Sequence, residues 1–86
     1  MKMNKQFINI GFGSVVMVDK VISIVNPESA PIKRMIQSAR EQEKLIDATF
    51  GRKTRAVIIM TTGHIMLAGI QVETIVSRLE NNEEKR

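Results

Sequence analysis

The segment Leu45-Ile46-Asp47-Ala48-Thr49-Phe50-Gly51-Arg52-Lys53-Thr54-Arg55-Ala56-Val57-Ile58-Ile59-Met60-Thr61-Thr62-Gly63-His64-Ile65-Met66-Leu67-Ala68-Gly69-Ile70 decides the fold. Leu45 to Phe50 predicts a strand that ends at Gly51. Ala56 to Met60 predicts a second strand and Ile65 to Ile70 a third. Thr61-Thr62-Gly63-His64 between the last two is a hairpin signal, with Gly63 supplying a positive φ. Val57, Ile58 and Ile59 are consecutive, so both faces of that strand are expected to be buried, in a central position or in a subunit contact. The link from the first strand to the second holds Arg52, Lys53 and Arg55, three cations within four positions and no acid among them. A short loop held by strands on both sides presents charge at a fixed place. The evenly spaced anions of a nucleic-acid backbone are the natural target for such an array.

Working outward, Phe7 to Ile10 predicts a short first strand, broken by Gly11-Phe12-Gly13. Val15 to Val18 and Val21 to Val25 are rich in β-branched residues. Asp19-Lys20 joins them, either as a tight hairpin turn or as a bulge in one bent strand. Ser29 is a plausible N-cap, and Pro31 suits a first helical turn. Ile32, Met35, Ile36 and Ala39 follow at i, i+3, i+4 and i+7, one apolar face of a helix that fades near Glu43. Val72, Ile75, Val76 and Leu79 repeat that spacing, predicting a second helix from about Val72 to about Glu80. Asn81 to Arg86 is polar and expected to fray. The expected organisation is one domain over residues 1–80 with a polar tail at 81–86. Its class is α+β, a small, mostly antiparallel sheet with two amphipathic helices.

Composition narrows the functions. Eighty-six residues allow one small domain, and its only aromatic residues are Phe7, Phe12 and Phe50. The core is therefore built from Ile, Val, Leu and Met. A chain this short buries a modest core, and self-association is a common remedy. The net charge is +4, concentrated in residues 31–55, where seven bases face three acids. That asymmetry predicts a localised anion-binding face. Without cysteine there are no disulfides or thiolate metal sites. The longest apolar run is split by Asp19-Lys20, short of a membrane span. The N-terminus lacks an apolar signal segment, so a cytoplasmic location is expected.

The plainer alternative for Arg52, Lys53 and Arg55 is a solvated loop kept for solubility. Arginine favours phosphate because its planar fork can bind two oxygens at once. Lys33 and Arg34 lie in the first turns of the first helix, where free N–H groups and the dipole favour anions. Gly11-Phe12-Gly13 resembles part of a phosphate-binding loop but lacks a third glycine and a following helix, so a tight turn is the better interpretation. His64 has no partners in a metal or dyad spacing. Asp47 is left to pair with a nearby base or to cap the loop backbone. No catalytic residue, metal or cofactor is expected. Single-strand readers usually stack bases on exposed aromatics, and only three are available here, which tilts the choice to duplex DNA.

Several blocks resemble the RemA family of bacterial extracellular-matrix regulators. They are Phe7-Ile8-Asn9-Ile10-Gly11-Phe12-Gly13, Ser29-Ala30-Pro31-Ile32-Lys33-Arg34-Met35-Ile36, Leu45 through Arg52, Thr54-Arg55-Ala56-Val57, and Gln71, Glu73 and Thr74. The resemblance runs from Phe7 to about Leu79. It implies a regulator that binds double-stranded DNA and activates matrix and biofilm genes. It also implies ring-shaped homo-oligomers that present basic residues repeatedly. The family's arginine pair after the glycine falls on Arg52 and Lys53, and a further basic position falls on Lys20. Lys53 and Lys20 both stand where arginine is expected, which keeps the charge and loses the fork. The expected DNA contacts are Arg52, Lys53, Lys20, Lys33, Arg34 and Arg55. Membrane and small-molecule partners are not expected. An RNA-binding module and a protein-interaction scaffold are the alternatives.

Overall fold

Alternating side chains along Ala56–Met60 organise the molecule, because that strand is covered on both sides. In the computed structural model, which describes residues 6–85, Ala56, Val57 and Ile58 are all fully buried. Lys2, Lys5 and Arg86 of the expected charge pattern lie outside the described residues. The strands are β1 (Phe7–Gly11), β2 (Ser14–Met17), β3 (Val21–Val25), β4 (Leu45–Ala48), β5 (Ala56–Met60) and β6 (Ile65–Ala68). The helices are α1 (Ala30–Glu41) and α2 (Val72–Lys85).

The α+β class and the largely antiparallel pairing stand as expected, but the strands form two sheets. β1 and β2 make a hairpin of their own, and the second sheet has the order β3-β5-β6-β4. In it β5 is antiparallel to both β3 and β6, while β4 runs parallel to β6. Asp19-Lys20 is neither a hairpin turn nor a bulge. A single 3-10 turn over Val18–Lys20 carries the chain from one sheet to the other. The bulge lies just beyond it, where the β3–β5 register shifts between Val21 and Ser23.

Each face of the four-stranded sheet has its own cluster. On one face Val57, Ile65 and Leu67 pack against Ala39, Ile32, Met35 and Ile36 of α1. On the other, Ala48, Ala56, Ile58 and Ala68 pack against Ile8, Ile10 and Val16 of the hairpin and Ile75 of α2. The order of layers is thus α1, sheet, then hairpin with α2. All three phenylalanines are exposed, so the core is aliphatic, as composition requires.

The helix ends follow local chemistry. Ser29 caps α1, its hydroxyl accepting from the Ile32 N–H at 3.4 Å, and Pro31 occupies the first turn. Glu43 adopts a left-handed φ of 60°, which ends the helix where it was expected to fade. Lys44 N–H then donates to the Ala39 carbonyl at 2.8 Å. α2 runs on through Lys85, five residues past the expected stop. Residues 80–85 include no glycine or proline, so nothing in that stretch breaks the helix. Among the described residues no helix is long and apolar enough to cross a membrane.

Ile58 is fully buried in the central strand. Ile58→Ala should therefore cost about 2–5 kcal/mol, from lost burial and the cavity left behind. Ser29→Ala removes only one long capping bond and should cost about 0.5 kcal/mol, the low end for caps. Denaturant titration of both variants measures the contrast.

Candidate nucleic-acid interface

The basic loop crosses one end of the sheet because of how β4 is placed. β4 pairs in parallel with β6, with Ala48 opposite Ala68, while β5 lies on the far side of β6. Residues 49–55 must therefore pass over the C-terminal end of β6 to reach Ala56. Both margins of this crossing are tied down. At its start the Asp47 carboxylate accepts from the Thr49 N–H at 2.9 Å and from the Thr49 hydroxyl at 2.6 Å. Thr49 is itself buried. At its end the Arg55 N–H donates to the Ala68 carbonyl at 2.8 Å. Between them the Arg52 N–H donates to the Thr49 carbonyl at 3.1 Å, and Gly51 takes a φ of 83° to make that turn.

Of the two roles left open for Asp47, capping the loop is the one it fills. Its carboxyl is held below the usual carboxylate range, first by the Thr49 hydroxyl and then by the Thr49 N–H. Desolvation opposes this, and the charge of Arg40 on α1 adds a smaller downward pull.

The chain topology sorts the six candidate cations. Arg52, Lys53 and Arg55 are exposed together on the crossing. α1 starts at the same end of the sheet, since Val25 pairs with Val57 five residues before Ala30. Lys33 and Arg34 are exposed there, on the opposite face from the β1–β2 hairpin. α2 also starts at this end, four residues after Ala68. One pole of the protomer thus gathers five candidate cations and the N-termini of both helices, whose partial charges favour anions.

Lys20 is elsewhere. Its carbonyl accepts from the Thr61 N–H at 2.8 Å, which puts it beside the β5–β6 turn. The whole of β5 separates it from Arg55, roughly 15 Å at the usual rise per residue. A protomer therefore does not bring Lys20 to the basic loop. His64 belongs to that second pole too, sharing a 2.7 Å hydrogen bond with the Thr62 hydroxyl inside the turn.

Two residues at the first pole were not singled out by their sequence context. Phe12, at the tip of the β1–β2 turn, reaches the basic loop, and the Arg52 guanidinium carbon stands 4.1 Å from its ring centroid. Phe50 meets Phe12 edge to face, with centroids 6.1 Å apart. Gly11-Phe12-Gly13 is the tight turn expected of it, but it also supplies part of this surface. The available signal was the repeated Phe-Gly pair, Phe12-Gly13 and Phe50-Gly51, each placing a ring at a turn.

The sequence pattern of the RemA-like family, described as "Extracellular matrix regulatory protein A-like", matches residues 7–79. A protein of Bacillus cereus (strain AH187) is 58% identical over 82 residues, covering 95% of this chain and 94% of its own length. Proteins of Bacillus cytotoxicus and of Bacillus mycoides (strain KBAB4) are each 57% identical over 82 residues, with the same coverage. All three carry names that assign them a provisional regulatory role. With nearly its whole length matched, the chain belongs to the RemA-like family of regulatory proteins.

Proposed function

We propose that this regulator acts by gripping duplex DNA through the pole that carries Arg52, Lys53 and Arg55. The observation that carries the proposal is the tethered crossing loop. Its cations are exposed, and its backbone is fixed at both ends before any ligand arrives. A preordered cationic loop loses little conformational entropy on meeting phosphate. Lys33 and Arg34 extend the contact along α1. Lys20, on the opposite pole, serves a separate phosphate. The DNA is read chiefly through its backbone and deformability, and A/T-rich or repeated sites are the natural targets.

One protomer supplies few contacts. The proposed assembly is a ring-shaped homo-oligomer in the cytoplasm, which multiplies them through effective concentration. β3 is an edge strand with an exposed Ile22, and Val15 and Val76 are exposed on the hairpin and α2. Such surfaces suit contacts between copies. The family description makes extracellular-matrix genes the proposed targets, and biofilm genes are proposed with them. The exposure of Phe50, at 64%, favours a second reading, an RNA module that stacks bases on that ring. Competition between duplex DNA and RNA for the free protein separates the two.

Two outcomes are expected of the DNA contact itself. The log–log dependence of DNA affinity on salt should be steep, at about 0.9 per neutralised phosphate, and exceed what a single protomer's cations supply. Mobility shift across salt measures it, and a slope of about one or below contradicts multivalent binding. Arg52→Ala should lose about tenfold or more in affinity while the oligomer mass stays unchanged.

Asp47→Ala separates placement from charge. Removing an acid raises the net charge, so Coulomb attraction alone predicts tighter binding. Loss of the Thr49 cap predicts weaker binding, which is the expected result. The pH dependence has a definite sign. Because the folded carboxyl titrates below its unfolded value near ~3.9, its stabilisation is complete above that value and lost as pH falls through the depressed one. Wild type should therefore gain stability over Asp47→Ala between acid and neutral pH, by about 1 kcal/mol or less for so exposed a carboxylate. Thermal melts across that range measure the gap.

A further inference from the structure

Phe12 and Phe50 share an unusual set of properties. Both adopt a left-handed backbone, with φ of 56° and 54°. Both are exposed, at 44% and 64%. A side chain other than glycine's is disfavoured in that conformation, and a ring left in solvent recovers little by burial. Strain of this kind, held at a surface, directs attention to what the strained residues touch. They touch each other and Arg52. The two rings meet at 61°, with Phe50 and Phe12 in an edge-to-face pair. The Arg52 guanidinium lies over the Phe12 ring. Bare backbone lies behind them, since a Cβ on Gly69 would sit 3.4 Å from Arg52 Cβ and 3.5 Å from Phe12 Cε2.

The physical consequence concerns Arg52 alone among the loop cations. A guanidinium against an aromatic face is held by the ring quadrupole, and that attraction uses none of its N–H donors. An arginine free in solvent must give up side-chain entropy when it binds. A stacked one has already given it up, so the same phosphate contact is worth more.

We propose that Phe12 is a positioning residue for Arg52. Its ring, braced by Phe50, holds the guanidinium so that the N–H donors are presented to a backbone phosphate of duplex DNA. This rests on the DNA-binding function proposed above and assigns the family's first loop arginine an aromatic support more than thirty positions away in the chain.

A double-mutant cycle tests it. Phe12→Leu keeps apolar bulk and the backbone conformation but removes the quadrupole. Phe12→Tyr keeps the ring. Duplex affinity is measured at one salt concentration for both, alone and with Arg52→Ala, after thermal melts confirm folding. Phe12→Leu should weaken binding roughly two- to fivefold per engaged protomer. Phe12→Tyr should retain wild-type affinity, and Phe12→Leu should add no loss to Arg52→Ala. If Phe12→Leu does not fold, Phe12→Met takes its place in the cycle. An equal loss in both backgrounds overturns the proposal, because the ring then meets DNA by itself. So does an unchanged affinity for Phe12→Leu when Arg52→Ala binds poorly. If Arg52→Ala leaves affinity untouched, the loop's DNA-binding role fails first and the inference falls with it.

Discussion

The parallel pairing of β4 with β6 is the constraint on which the rest of the molecule depends. A β4 that ran antiparallel beside β5 would need only a tight turn to reach it. Instead β6 lies between them, and the chain must cross its end. That crossing is seven residues long, and it holds three cations. The same end of the sheet launches α1 and α2. Fold and charge are thus coupled: the topology that buries β5 on both faces also lifts Arg52, Lys53 and Arg55 onto one pole.

Charge alone does not make this pole a binding surface. Exposed cations on a mobile loop interact weakly with phosphate and are screened by salt. Tethering adds what charge lacks. Asp47 and Thr49 fix the entry of the loop, the Arg55–Ala68 backbone bond fixes its exit, and the Phe12 ring holds one arginine above the surface. An acid thus serves a basic site, because its carboxylate is spent on backbone geometry rather than on neutralising the cations.

Much of this was legible in the sequence because the signals are local. The three consecutive β-branched residues at Val57 to Ile59 gave a strand buried on both faces, and Thr61 to His64 gave the hairpin. Ser29 and Pro31 marked the start of α1. The cationic triplet is written in four adjacent positions. What was not legible depends on pairing between distant segments. Whether Asp19-Lys20 turns back or carries on depends on which sheet each neighbouring strand joins, and β3 joins the one containing β5. Lys20 and Arg52 are both basic, and nothing local in the sequence shows how far apart they fold. The register places Lys20 at the far end of β5. Phe12 and Arg52 are far apart in the chain, and no local pattern announces their contact. The end of α2 is not legible from polarity alone, because a polar stretch without glycine or proline can continue a helix as well as fray.

The central claim is that DNA is held at the pole where the chain crosses the end of β6. Hydrogen–deuterium exchange of the full-length protein, with and without a duplex, tests it most directly. Added DNA should slow exchange in peptides spanning residues 49–55 and the Gly11-Phe12-Gly13 turn, while the Thr61–His64 turn at the other pole changes less. Protection centred on the Thr61–His64 turn, with exchange in 49–55 unaltered, would contradict the account.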